Sequence, residues 1–95
     1  MRSFFNVLDS QNKGRTLTAQ NARADIIGEL DAIMQYQSHY DATDDQSARG
    51  TILDIMNEEK LHVGQLFGLL FSLDPESKRQ FEKGLKEFEE QNSNH

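Results

Sequence analysis

No cysteine occurs in the chain. A disulfide framework and a thiolate metal site are thereby excluded, and any metal must be held by oxygen and imidazole, a donor set that favours iron or manganese over structural zinc. Basic residues are few: 10 Lys and Arg stand against 16 Asp and Glu, a formal net charge of −6. There is thus no basic stripe to neutralise phosphates, which argues against nucleic acid and anionic membrane surfaces as partners. No run of about 18 apolar residues exists, and the Met1–Leu8 start lacks a long apolar stretch, so neither a membrane span nor a secretory signal is expected and the setting is read as cytoplasmic and reducing. With one proline and six glycines, little in the sequence breaks helices.

What is present is one small domain's worth of helix formers. Ninety-five residues cannot hold two independent cores, and so short a chain gains by assembling with others. The segment 1–16, with apolar Phe4-Phe5-Asn6-Val7-Leu8 followed by polar Ser10-Gln11-Asn12-Lys13-Gly14, reads as a partly ordered arm. Residues 17–95 form a single helical domain with helices over about 18–40, 44–72 and 75–90. Thr18 is the expected cap of the first helix and Thr43 that of the second, with Asp44 and Asp45 in the second helix's first turn. Asp74-Pro75-Glu76 supplies a cap, a proline at the first helical position and an acid for the third. Phe81, Leu85 and Phe88 give that helix a narrow apolar stripe, and residues 91–95 are polar and expected to fray.

Periodicity decides how the acids are read. Ala22, Ile26, Glu29, Ile33, Tyr36 and Tyr40 recur at steps of three and four, as do Ile52, Ile55, Glu59, His62, Leu66 and Leu69. Glu29 thus lies in the core stripe of the first helix, and the Glu59-Lys60-Leu61-His62 motif places two polar groups one turn apart in that of the second. Glu58 points about 100° away. Burying unpaired carboxylates is costly, so a compensating cation is implied. It is either a divalent metal or, in the alternative, Lys60 or a protonated His62 paired with Glu29. A carboxylate-bridged two-metal bundle takes one Glu from each of two helices and one Glu-x-x-His from each of the other two. This chain carries half of that set, so a complete site requires two copies at a dimer interface. Met34 and Met56 read as core packing, Tyr36 and Tyr40 as core aromatics, and His39 as a response to the helix dipole. The Asp41, Asp44, Asp45 cluster lacks the Gly and bidentate Glu of a calcium loop.

The stretches Gly28-Glu29-Leu30-Asp31-Ala32-Ile33-Met34-Gln35-Tyr36-Gln37 and Asp54-Ile55-Met56-Asn57-Glu58-Glu59-Lys60-Leu61-His62-Val63 resemble the encapsulated ferritin-like proteins, cargo of encapsulin nanocompartments within the ferritin and rubrerythrin superfamily. The resemblance covers about residues 17–90. It implies an all-α fold: an antiparallel two-helix hairpin plus a shorter C-terminal helix, dimerising into a four-helix ferritin-like bundle, with pairs assembling into a decamer. It also implies Glu29, Glu59 and His62 as iron ligands of a di-iron centre, Tyr36 beside the site, and Asp31 as a shortened counterpart of an outer metal-guiding carboxylate. Gln35 stands where relatives carry an aromatic, Gly28 where an acid is common, and the tail shows no Gly- and Leu-containing targeting peptide. The expected activity is oxidation of Fe(II) by dioxygen, a ferroxidase serving iron storage or detoxification inside an encapsulin shell, with manganese the other candidate metal. Two readings compete with it: a metal-free helical adaptor, and a di-iron peroxidase or oxidase, the latter disfavoured by the missing cysteine.

Overall fold

The computed structural model describes the backbone of residues 4–93 and the side chains of residues 12–93. These residues form α1 (Phe4–Ala42), α2 (Gln46–Leu73) and α3 (Pro75–Ser93), with no strand among them. α1 and α2 run antiparallel. Their core is built on small residues of α1, Ala19 and Ala22, which with Ile26 let α2 approach closely and pack Leu70, flanked by Leu66, Phe67 and Phe71. Farther along the hairpin Met56 is 2% exposed, as expected of core packing. Met34 is not core: it is 64% exposed, because the seam position is Ile33 and Met34 lies one residue, about 100°, round the helix. At the far end of α2 the buried position is Leu70, while the expected Leu69 is 44% exposed.

The first helix begins at Phe4, not at Thr18. α2 ends beside Arg15, which donates from Nη2 to the Ser72 carbonyl at 3.0 Å, so the earlier part of α1 runs on past the end of its partner. Thr18 is internal and its hydroxyl bonds back to the Gly14 carbonyl at 2.9 Å, a helix-compatible arrangement. Residues 1–3 of the expected arm, and Asn94 and His95 of the expected tail, lie outside the described residues.

The α1–α2 turn is residues 43–45. Asp45, not Thr43, caps α2: its Oδ1 accepts from the backbone N–H of Ser47 at 2.9 Å and of Ala48 at 3.2 Å, which satisfies two of the free donors at the helix start. Thr43 Oγ1 instead accepts from the Asp45 N–H, and no acid occupies the first turn of α2. Arg49 fastens the turn, donating to the carbonyls of Thr43 at 3.0 Å and Tyr40 at 3.4 Å with its guanidinium 4.0 Å above the Tyr40 ring.

Asp74 separates α2 from α3 and serves both. Its N–H donates to the Leu70 carbonyl, its Oδ1 accepts from the Ser77 N–H, and its Oδ2 accepts from the Ser77 hydroxyl and from Arg23 of α1, each at 2.7 Å. The Ser77 hydrogen bonds, then Arg23, hold the Asp74 carboxyl below its ordinary value. α3 docks through Phe81, whose ring lies 5.2 Å from Phe67 and 5.1 Å from Phe71. Beyond that turn it leaves the hairpin, with Leu85 and Phe88 exposed.

The result is a slab of 64 × 41 × 14 Å with a radius of gyration of 19.0 Å, against ~12 Å for a compact domain of this length. Its accessible surface is 7401 Å², about 1,800 Å² more than a compact protein of this mass exposes. A hairpin one helix deep cannot wrap its own apolar surface.

Candidate metal centre

The two helical seams bring Glu29 of α1 opposite the Glu59-x-x-His62 turn of α2. These three side chains form a group with one ligand atom from each, all within 4.8 Å of one another. His62 Nδ1 stands 3.7 Å from Glu29 Oε2 and 3.8 Å from Glu59 Oε2. Both separations exceed a hydrogen bond. They are near the ~3.0–3.4 Å that neighbouring donors adopt around an ion with bonds of ~2.1 Å. Exposure falls from His62 at 45% to Glu29 at 25% and Glu59 at 20%, so the carboxylates sit deeper than the imidazole.

Glu29 Oε2 is buried and has no hydrogen-bond partner among the described residues. A buried carboxylate oxygen left unpaired is the feature a bound cation would explain. The basic side chain beside Glu29 is His62, not Lys60, which is exposed on α2. Glu58 is likewise exposed. The donor set of two carboxylates and one imidazole, without sulfur, suits iron or manganese.

Beside the two carboxylates lies an open concavity of about 390 Å³, lined by Asp25, Gly28, Glu29, Ala32, Glu59 and Leu66 among others. Gly28 and Ala32 keep it clear: a Cβ on Gly28 would meet nothing within 4 Å. Asp25 was not singled out by the sequence reading, although its place four residues before Glu29, on the same side of α1, is a signal for it. Tyr36 is half-buried and on the Glu29 side of α1; its ring packs edge-on against His39, centroids 6.4 Å apart. Asp31 stands apart from the ligand group, exposed and accepting from Gln35 Nε2 at 3.2 Å. Another concavity, of about 350 Å³ between Arg15, Arg23, Leu73 and Asp74, lies at the α2–α3 corner, where both arginines already donate to the chain.

No family model matches the chain. It is 41% identical over 68 residues, 72% of its length, to a ferritin-like–encapsulin shell fusion protein of Pyrococcus furiosus, and spans 20% of that relative. It is also 41% identical over 61 residues, 64% of its length, to the encapsulin nanocompartment cargo protein EncC of Myxococcus xanthus, and spans 47% of it. The chain thus covers less than half the length of either relative. Its fold superposes on the crystal structure of the encapsulated ferritin domain from Pyrococcus furiosus with a TM-score of 0.76 and 37% identity, covering 80% of this chain and 78% of that one. With that coverage, that identity and an all-helical fold in common, the chain belongs to the encapsulated ferritin-like family.

Proposed function

We propose that this chain is a ferroxidase, oxidising Fe(II) to Fe(III) with dioxygen at a two-iron site shared between two copies. The observation that carries the reading is the convergence of Glu29, Glu59 and His62, with a buried Glu29 oxygen that nothing among the described residues satisfies. One copy supplies one Glu and one Glu-x-x-His, and a ferritin-like centre takes two of each. A second copy laid against the same face would complete both the bundle and the ligand set.

In that arrangement the four carboxylates from two chains balance the four positive charges of two Fe(II) ions. Glu29 and Glu59 would hold the ions through their carboxylates, whose anionic oxygens would favour the more highly charged Fe(III) product, and each His62 would add an imidazole nitrogen. Tyr36, two turns along α1 from Glu29 and on the same side of the helix, would stand next to that centre. Manganese is the other ion this donor set accepts.

A slab 14 Å thick encloses no space for ferric product, so storage requires a surrounding shell. The names of the two relatives, a shell fusion and a nanocompartment cargo protein, support work inside an encapsulin compartment. Among the described residues no helix is long and apolar enough to cross a membrane.

The test is Fe(II) oxidation followed by absorbance after mixing with aerated buffer. Glu59→Ala should abolish rapid oxidation while circular dichroism retains most of the helix signal. Undiminished oxidation in that variant would exclude the proposed centre.

A further inference from the structure

The proposed centre needs a way in for its ions, and the resemblance of the sequence points to Asp31 as the guiding acid. The structure sets Asp31 apart: it is exposed, and its carboxylate accepts from Gln35 one turn farther on, at 3.2 Å. Asp41 is occupied in the same way by Gln37. Asp25 is not. It is exposed, lines the concavity beside Glu29 and Glu59, and has no hydrogen-bond or ion-pair partner among the described residues. Arg23, two residues away, is turned to Gln20, Asp74 and Ser77 instead.

We propose that Asp25 is the outer carboxylate that draws Fe(II) into the concavity and passes it to Glu29 and Glu59, an inference that rests on the two-iron reading. Spacing supports it first. Four residues apart on one helix, Asp25 and Glu29 are neighbours, with about 5–6 Å between their Cβ atoms, whereas Asp31, two residues past Glu29, is turned about 200° round the helix from it. The room along the row is the second support. Position 28, one turn after Asp25, has no side chain, and Ala24 and Ala32 a turn to either side of it are small, so an ion can move along the row without meeting a side chain. The chain's own packing does not call for glycine there, since a Cβ would meet nothing within 4 Å, and a glycine inside a helix is otherwise unfavourable. The row ends inward on the buried Glu29 Oε2, which has no partner among the described residues. One carboxylate in contact with solvent and a second, buried one a turn farther on let a hydrated cation give up its water in stages, each loss answered by a negative charge.

The test is anaerobic uptake of Fe(II) by the full chain, followed in stopped flow by quenching of tyrosine fluorescence, so that binding is read without turnover. Removing a unit charge ~6 Å from a doubly charged ion weakens their attraction about tenfold in unscreened water and about threefold at ~0.15 M salt. Asp25→Asn should therefore take up Fe(II) more slowly by those factors at low and at physiological salt, yet reach the wild-type iron content per chain and keep the wild-type mass by light scattering. Asp25→Glu should recover most of the rate, and Asp31→Asn, which removes the same charge from the other side of the helix, should stay near wild type at physiological salt. An unchanged rate in Asp25→Asn, an equal slowing in Asp31→Asn, or an Asp25→Asn protein that loses bound iron as well as speed would overturn the inference. Wild type that binds no Fe(II) would sink the two-iron centre and the role of Asp25 with it, whereas a full iron complement taken up at a rate indifferent to Asp25 would sink the role of Asp25 alone.

Discussion

Replacing Glu29 by Gln should make the metal-free protein more stable while removing its response to metal. The perturbation is small in shape and in helix propensity, so its effect is chiefly the loss of one negative charge. In the metal-free protein the carboxylate oxygens of Glu29 and Glu59 lie within 4.8 Å of each other and of the His62 ring nitrogen, and Glu29 Oε2 has no hydrogen-bond partner among the described residues. Two like charges at that separation repel by about 1 kcal/mol in a water-like medium and about 3 kcal/mol at the effective dielectric of a partly buried site. Relief of that repulsion should raise the unfolding midpoint by ~4–8 °C for each kcal/mol in a domain of this size. The assay is thermal unfolding by circular dichroism at pH 8 and fixed chain concentration, in chelator and then in anaerobic Fe(II) or Mn(II). At a hundredfold excess over its dissociation constant, metal should stabilise wild type by ~2.7 kcal/mol and leave Glu29→Gln nearly unmoved. A variant less stable than wild type in chelator, or equal stabilisation of both by metal, would refute the reasoning.

Two further outcomes concern how α3 is held. Phe81→Ala removes the ring that packs on Phe67 and Phe71; because Phe81 is itself 41% exposed, the cost should be about 2 kcal/mol, roughly half that of deleting a fully buried phenylalanine. Hydrogen exchange should then speed up in α3 before it does in α1 or α2, and uniform exchange across all three helices would show that Phe81 does not set the docking. Because Ser77 and Arg23 hold the Asp74 carboxyl below its ordinary value of 3.8, its contribution is complete above that pH and declines as pH falls through the lower folded value. Exchange in α3 should therefore rise as pH drops below about 4 relative to Asp74→Asn, once corrected for intrinsic rates; identical pH profiles would contradict the assignment.

The inward seam was legible because burial imposes a repeat. Ala22, Ile26, Glu29, Ile33, Tyr36 and Tyr40 are all buried or half-buried, and Glu59 and His62 face Glu29. The same rule explains where the reading stopped short. Apolar repeats report packing and not helicity: Ala19 is the first buried position of α1 among the residues whose burial is described. The seam fades there because α2 ends, although the helix continues to Phe4. The second helix starts two residues later than Thr43 suggests, since a turn rich in Thr and Asp offers several side chains able to cap and only the folded turn selects Asp45. The apolar residues of the outer face, Ile27 and Leu30 among them, fall outside any single helical stripe that one hairpin could bury.

The central claim is that one chain holds half of a two-iron site. It is tested most directly by iron bound per chain after anaerobic Fe(II) loading and desalting, with mass measured by light scattering on the same sample. The account predicts one iron per chain in a particle of even chain number, lost in Glu59→Ala. Retention of no iron by a correctly folded wild type, or an iron held by an isolated single chain, would contradict it.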